Sequence, residues 1–468
     1  MRHLNYGQSY DDVKVTQRWC YAMQIAYPLV ARAYRERESS AVKIQRITIT
    51  PIAFRDPPLL NAAGIHEPFA LRSIIEIETD NGHVGLGETY GDAPVLALLE
   101  NTRSHLIGMD PFDTNGLRAR VAAVVRQGVR GERVEYELAP GTDPRKDAEK
   151  IYSAFEVPFL DLQARHLGIP LVELLGGAVR QEVQYSAYLF FKYAQHIDAP
   201  VTGYAQDGWG ETLSAEQLVV QARTMIDTYG FGSIKLKAGV LDPAEEVKCL
   251  KALKRAFPDK PLRIDPNGNW SLPTAIAMGR ELAGDLEYYE DPTPTLEGMA
   301  ELHRATGMPL ATNMVVTDLR QFRENVRLNG AQIILSDHHY WGGLRDTQLL
   351  ARMCETFDLG LSMHSNSHLG ISLMAMTHLA ASVPRLSYAC DTHYPWQAAD
   401  EEVVRGGKIA IRNGTVAVTK APGLGLDIDR DQLAKLHEQY LRCGLRTRND
   451  AVQMRKYQPD WSGKAPRF

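Results

Sequence analysis

Two lysines one residue apart, Lys235 and Lys237 in the run SIKLKAG (233–239), carry the first hint of chemistry. On a strand, alternate side chains share a face. Both ammonium groups would then point one way and Ile234 and Leu236 the other. Two such charges on one face repel and call for anions or a common task. Crowding and partial burial are expected to lower a lysine's pKa, which makes it a usable base near neutral pH. Alone, the run reads more simply as a solvated edge strand. The residues that follow it change that reading.

Downstream, short β-type runs alternate with helical segments. The runs are VQYSAYLFF, SIKLKAG, LRIDPNGNW, LEYYEDP, PLATNMV, AQIILSDHH, LGLSMHSNSH and LSYACDTH. Eight runs, spaced roughly 25–30 residues apart after the second, fit a (β/α)8 barrel better than a doubly wound sheet. No dinucleotide GxGxxG or Walker loop is present. Barrel active sites sit at the C-terminal ends of the strands. Those ends carry Tyr188, Lys235 and Lys237, Asp265 and Asn267, Glu290, Asn313, Asp337, His364 and His393.

Asp265, Glu290 and Asn313 fall on three successive ends. Two carboxylates and an amide are hard oxygen donors that suit Mg²⁺ better than zinc. Each alone is equally a turn or helix-capping residue. His364 and Asp337 lie one barrel unit apart, and a carboxylate beside an imidazole makes an acid/base pair. His368, in the same MHSNSH run, is also eligible. A metal flanked by a lysine base and a His–Asp pair suits proton abstraction α to a carboxylate, the metal stabilising the enediolate.

The elements that must hold these residues are legible in outline. The chain has 468 residues, 44% hydrophobic and 23% charged, enough for a barrel plus a second unit. From Val42 the pattern turns β, and Asn81-Gly82 marks a hairpin. The loop LLNAAGIHEPFAL between the strands is a candidate lid. Residues 93–150 look helical around a charged, Gly-rich interruption, and 157–177 reads as an amphipathic helix with a Gly stop. KIAIRNGTVAVTK returns to β. A net charge of −5 argues against a nucleic-acid partner. No run has the length of a membrane span, and the N-terminus lacks a signal-peptide core. The five scattered cysteines form no CxxC pair and fit reduced thiols in a cytoplasmic protein.

KLKAGV, IDPNGNWSL, YYEDP, RATGMPLATNM, HSNSH and CDTHYPWQ together resemble the enolase superfamily, and within it the glucarate dehydratase group. The resemblance covers roughly residues 42–460. It implies an α/β fold, a modified TIM barrel (β/α)7β with an α+β capping domain. The expected division is an extension (1–41), a capping domain (42–155), the barrel (156–415) and a C-terminal segment packing on the cap (416–468). It implies a Mg²⁺-dependent acid-sugar dehydratase, converting D-glucarate (and/or L-idarate) to 5-dehydro-4-deoxy-D-glucarate. Galactarate or a monoacid sugar as substrate, an epimerase or racemase, and a silent paralogue are the alternatives.

By resemblance, Lys237 is the base on one substrate face, with Lys235 lowering its pKa and touching the substrate carboxylate. His364, supported by Asp337, is the base on the other face and the acid for the leaving hydroxyl. Asp265, Glu290 and Asn313 hold Mg²⁺, with Asn267 beside metal and substrate. His66, Tyr188, Ser365, Asn366, His393 and Arg448 match substrate-contacting positions, with Arg446 close to Arg448. Three departures stand out: the extension, a shortened segment after EDP that makes Glu297 a second ligand candidate, and a poor match over 93–150. The family also implies a homo-oligomer.

Overall fold

The computed structural model describes residues 42–127, 144–198 and 207–468. The N-terminal extension and most of the Gly-rich interruption after residue 126 lie outside them. An antiparallel sheet comes first, in the order β1 (Ile44–Arg55), β2 (Phe69–Thr79), β3 (Val84–Tyr90). The expected hairpin joins β2 to β3, with Gly82 at φ 85°. Ile47, Ile49, Ile75 and Ile77 form a core with helices α1 (Ala93–Arg103), α2 (Thr114–Gln127) and α3 (Asp147–Leu167).

Helix α3 corrects the reading of 157–177. It starts ten residues earlier and ends where Gly168 takes φ 70°, and the short α4 (Leu171–Leu174) follows it. Every residue from Lys150 to Ala164 is buried, so it is no amphipathic surface helix. Strand β3 packs directly on it because its sequence is VGLG. A Cβ on Gly85 would come within 2.1 Å of the Pro158 carbonyl oxygen.

The barrel follows. Strands β5 (Ala187–Phe190), β6 (Ile234–Lys237), β7 (Leu262–Asp265), β8 (Leu286–Glu290), β9 (Leu310–Thr312), β10 (Ile333–Ser336) and β11 (Gly360–Met363) pair in chain order, all parallel. The first run is split, because β4 (Glu182–Gln184) pairs antiparallel with β12 (Thr415–Ala417), the one strand within KIAIRNGTVAVTK. The eighth run is not a strand, yet it closes the gap. Ser387 and Asp391 donate to Leu361 and Met363 on β11 at 3.0 and 2.8 Å. Cys390 N donates to the Gln184 carbonyl and the Cys390 carbonyl accepts from Ser186 N, both at 2.9 Å. The architecture is a modified TIM barrel with a separate antiparallel capping sheet.

Seven helices follow the barrel strands at the expected places: α5 (Ala215–Tyr229), α6 (Pro243–Ala256), α7 (Leu272–Glu281), α8 (Leu296–Thr306), α9 (Leu319–Leu328), α10 (Gly343–Thr356) and α11 (Gly370–Ser382). Helix α12 (Arg430–Cys443) packs on β1. Beyond it the tail ties the 61–66 loop to the barrel. Asn61 Nδ2 donates to Asp450 at 2.7 Å, and Trp461 Nε1 and Arg467 Nη2 donate to the Ala63 and Ala62 carbonyls, each at 2.7 Å. Arg467 N reaches the Asn269 carbonyl at 2.9 Å. No described helix is long and apolar enough to cross a membrane.

Glu156 on α3 joins cap to barrel by accepting from Leu344 N at the start of α10, at 2.6 Å. Burial pushes its carboxyl up to about 7, against the backbone N–H groups that favour the anion. A raised folded-state pKa means that its contribution to stability is complete below about pH 4.5 and lost as pH rises through about 7. Glu156→Gln keeps an acceptor but cannot ionise. Its melting temperature is expected to fall less than the wild type's between about pH 5 and about pH 8. Equal pH slopes for the two proteins would reject this.

Candidate active site

Helix capping does not explain the acids at the strand ends. Ser214, Asp242, Ser271, Thr295 and Asp318 cap α5 to α9 with their own side chains. Asp265, Glu290, Asn313 and Asp337 turn inward instead and are at most 2% exposed. The parallel register sets Lys237 beside Asp265 and Lys235 beside Arg263. Lys235 and Lys237 do share a face: both ammonium groups approach Asp265 Oδ2, at 3.7 and 2.6 Å.

Lys235 is fully buried. Its Nζ lies 2.6 Å from Glu290 Oε1 and 2.7 Å from Asp391 Oδ2, above the Tyr188 ring. Burial works against its charge, but Asp391, Glu290 and Asp265 outweigh burial and hold its pKa well above the lysine range. Lys235 is thus held as a cation by its anionic neighbours. Lys237 also bonds Asn267 Oδ1, and Asn267 adopts φ 56° to present that oxygen.

The carboxylates outnumber the cations. Glu290 is driven well above the carboxylate range by burial and by Asp265, with Asp391 and Asp291 adding to it and Lys235 opposing. Asp291 is pushed up to about 7, first by burial, then by Asp265. Asn313 Nδ2 donates to Glu290 Oε1 at 2.6 Å, and its backbone N–H donates to Asp291 at 2.8 Å. Asp265, Glu290 and Asn313 therefore do come together. Glu297 stays out, in the first turn of α8.

Across the barrel, His364 Nδ1 lies 3.1 Å from Asp337 Oδ2 and 3.3 Å from the Tyr340 hydroxyl. Burial opposes the Asp337 charge, but His339 and His364 outweigh it and hold its pKa well below the usual range. His368 points elsewhere, to the Leu369 carbonyl, so His364 is the histidine of the pair. Asp337, His338 and His339 also bring three ligand-type atoms within 4.8 Å of one another. A cation among them meets the Arg72 guanidinium, whose Nη2 is 2.9 Å from His339 Nε2. Charge and occupied ring nitrogens argue against that position as a metal centre.

A cavity of about 190 Å³ opens between the barrel mouth and the cap. Lys237, Asn267 and Asn313 line it on one side, and His364, Asn366 and His393 on the other. Tyr188, His66 and Arg448 also reach it, whereas Lys235, Asp265, Glu290, Asp337 and Ser365 lie one layer behind. Ser365 orients His393 by contacts of 3.3 Å to Nδ1 and 3.1 Å to the backbone N–H. Burial, then His66 and His364, hold His393 well below its ordinary pKa and so neutral. His66 is fixed by Asp56 at 3.0 Å. Arg448 already holds Asp450 in a two-bond pair at 2.7 Å each, which leaves Nη1 as the third arm. Arg446 turns away, stacked on Tyr440 and bonded to its carbonyl.

Sequence reasoning missed Asp391, which sits in the quoted CDTH run, and Arg72, Tyr90 and Tyr340. Arg72 had a signal: it is a charge within the otherwise apolar FALRSIIEI strand.

Residues 217–432 match the family model of enolase C-terminal domain-like proteins. A probable glucarate dehydratase from Streptomyces coelicolor is 47% identical over 422 residues, covering 89% of this chain and 97% of that protein. The L-talarate/galactarate dehydratase of Salmonella typhimurium is 24% identical, over 76% and 80% of the two chains. An enolase from Pseudomonas fluorescens Pf0-1, crystallised with magnesium, potassium and tartrate, superposes with a TM-score of 0.90. It shares 66% identity over 92% of this chain and all of its own. Another, from Thermobispora bispora with magnesium and formate, gives 0.87 at 47% identity, over 91% of this chain and all of its own. The chain belongs to the enolase superfamily, within its glucarate dehydratase group.

Proposed function

We propose that the protein is a Mg²⁺-dependent dehydratase of hexarate-type acid sugars, acting on D-glucarate (and/or L-idarate). The observation that carries the reading is one cavity lined both by Lys237, from the end of β6, and by a carboxylate-backed imidazole, His364, from the end of β11, five strands further round the sheet. Between them stand oxygen donors. The 47% identity to a probable glucarate dehydratase supports the choice of substrate.

The residues fit Mg²⁺. Among the described residues, Asp265, Glu290, Asp291 and Asp391 are all fully buried around two lysine ammonium groups and Arg263, which Glu287 already shares. That cluster lacks positive charge, as the raised Glu290 carboxyl records. Asp265, Glu290 and Asn313 would hold the ion, the Asn313 amide turning its oxygen inward. Bound there, Mg²⁺ supplies positive charge beside the substrate carboxylate whose α-proton is removed.

The chain's own groups do the rest. Lys237 Nζ takes the α-proton from one face, or His364 Nε2 from the other. Lys235 stays charged and opposes the burial that drives Glu290 toward its neutral form. The β-hydroxyl leaves as water with a proton from His364, and the enol becomes a 2-keto-3-deoxy diacid. The 61–66 loop roofs the cavity against bulk water.

Purified protein with Mg²⁺, screened against diacid and monoacid sugars, is expected to form keto products from hexarates. No turnover of any acid sugar sinks the reading. Lys237→Ala and His364→Asn should each lower kcat at least about a hundredfold. Near-normal rates in either would remove that residue from its role. EDTA should silence the enzyme and added Mg²⁺ restore it, whereas full activity without divalent metal would exclude the ligand set.

A further inference from the structure

Asp337 accepts on both oxygens. Oδ2 faces His364, while Oδ1 takes the His339 backbone N–H at 2.9 Å and lies 2.7 Å from His339 Nδ1. The far side of the His339 ring meets the cap. Its Nε2 lies 2.9 Å from Arg72 Nη2 and 2.9 Å from Ser372 Oγ. Arg72 stands on β2, is 2% exposed, and is itself fixed by Glu88 through Nε at 3.0 Å. Glu88 in turn accepts from Leu369 N and Ser372 N at 2.8 and 2.9 Å.

A guanidinium carries only donors. The His339 nitrogen that it touches must therefore be the acceptor, so the ring proton sits on Nδ1, aimed at Asp337. A protonated His339 would set N–H against N–H between two cations. Neutralising Glu88 would explain the Arg72 Nε contact, but not the Nη2 contact on His339. The charged, titratable and polar groups facing this ring are Asp337, Arg72, Ser372, His338 at 4.0 Å and Tyr90 at 5.6 Å, with Glu88 behind Arg72.

We propose that Arg72 and His339 are positioning residues for the His364–Asp337 pair. Arg72 locks His339 as the neutral Nδ1–H tautomer, and His339 pins the Asp337 carboxylate. Oδ2 is then left to receive His364 Nδ1–H. His364 Nε2 is thereby fixed as the nitrogen that exchanges protons in the cavity. The reach of the inference to turnover rests on the dehydratase reading; the tautomer does not.

The test uses Mg²⁺-loaded enzyme labelled with ¹⁵N-histidine. Ring ¹⁵N–¹H spectra should show one neutral histidine protonated at Nδ1 whose signal disappears in His339→Asn. An Nε2–H or doubly protonated His339 overturns the proposal, whatever the activity. On a hexarate substrate, His339→Phe should lower kcat about tenfold or more with KM moving less than about twofold. His339→Asn retains an N–H aimed at Asp337 and should recover kcat to within about threefold of wild type. Equal losses in the two variants overturn it. Should His339→Phe fail to fold, the wild-type tautomer decides alone. A wild-type enzyme that turns over no acid sugar refutes the dehydratase reading and leaves the tautomer result standing.

Discussion

Four carboxylates and two ammonium groups are packed into the dry mouth of the barrel, and much of the architecture serves to keep them there. Desolvating a carboxylate costs several kcal/mol unless opposite charge and hydrogen bonds compensate. Removing one lysine would leave buried anions without a counter-charge. Adding a dication relieves an imbalance already present. Parallel strands provide the means: their register sets Lys237 beside Asp265 and Glu290 beside Ala311, two residues before Asn313. The helices are capped by other residues, so none of these groups is drawn away.

Much of this was readable because barrel strands and their ends obey local rules. The alternation IKLK and the polar strand ends picked out ten residues, from Tyr188 to His393, that line the cavity or lie directly behind it. His66, Ser365, Asn366 and Arg448 came from the resemblance alone, and Arg448 reaches the cavity with two of its donors committed to Asp450. Long-range charge was not readable. Nothing near Lys235 announces Asp391, 156 residues away, the first of the anions that hold its ammonium charged. Periodicity also misled at α3, since a helix buried on all sides has no polar face to mark its length. The eighth run looks like a strand by composition, but its residues form two backbone bonds to each neighbour in place of a full ladder.

The cap does more than cover the cavity. Arg72 and Tyr90 lie opposite one another on β2 and β3 and reach down to His339 and Asn366. The 61–66 loop is anchored from above by the tail that also grips Asn269, close behind the metal-ligand candidate Asp265. One sheet edge thus reaches the histidine side of the cavity and one loop reaches the lysine side, so the cap has a grip on both walls.

Asp391 sits on the segment that joins the last parallel strand back to the first. That seam is stitched by a few backbone bonds and by two ion pairs of Asp391, with Lys235 at 2.7 Å and with Arg263 at 3.6 Å. Topological closure and electrostatic closure therefore coincide at a single residue. A barrel sprung open at this point would expose its core and separate Asp391 from Lys235 and Arg263 in the same event. The cylinder and the charge cluster are thus joined at one seam, and closing the first brings the second together.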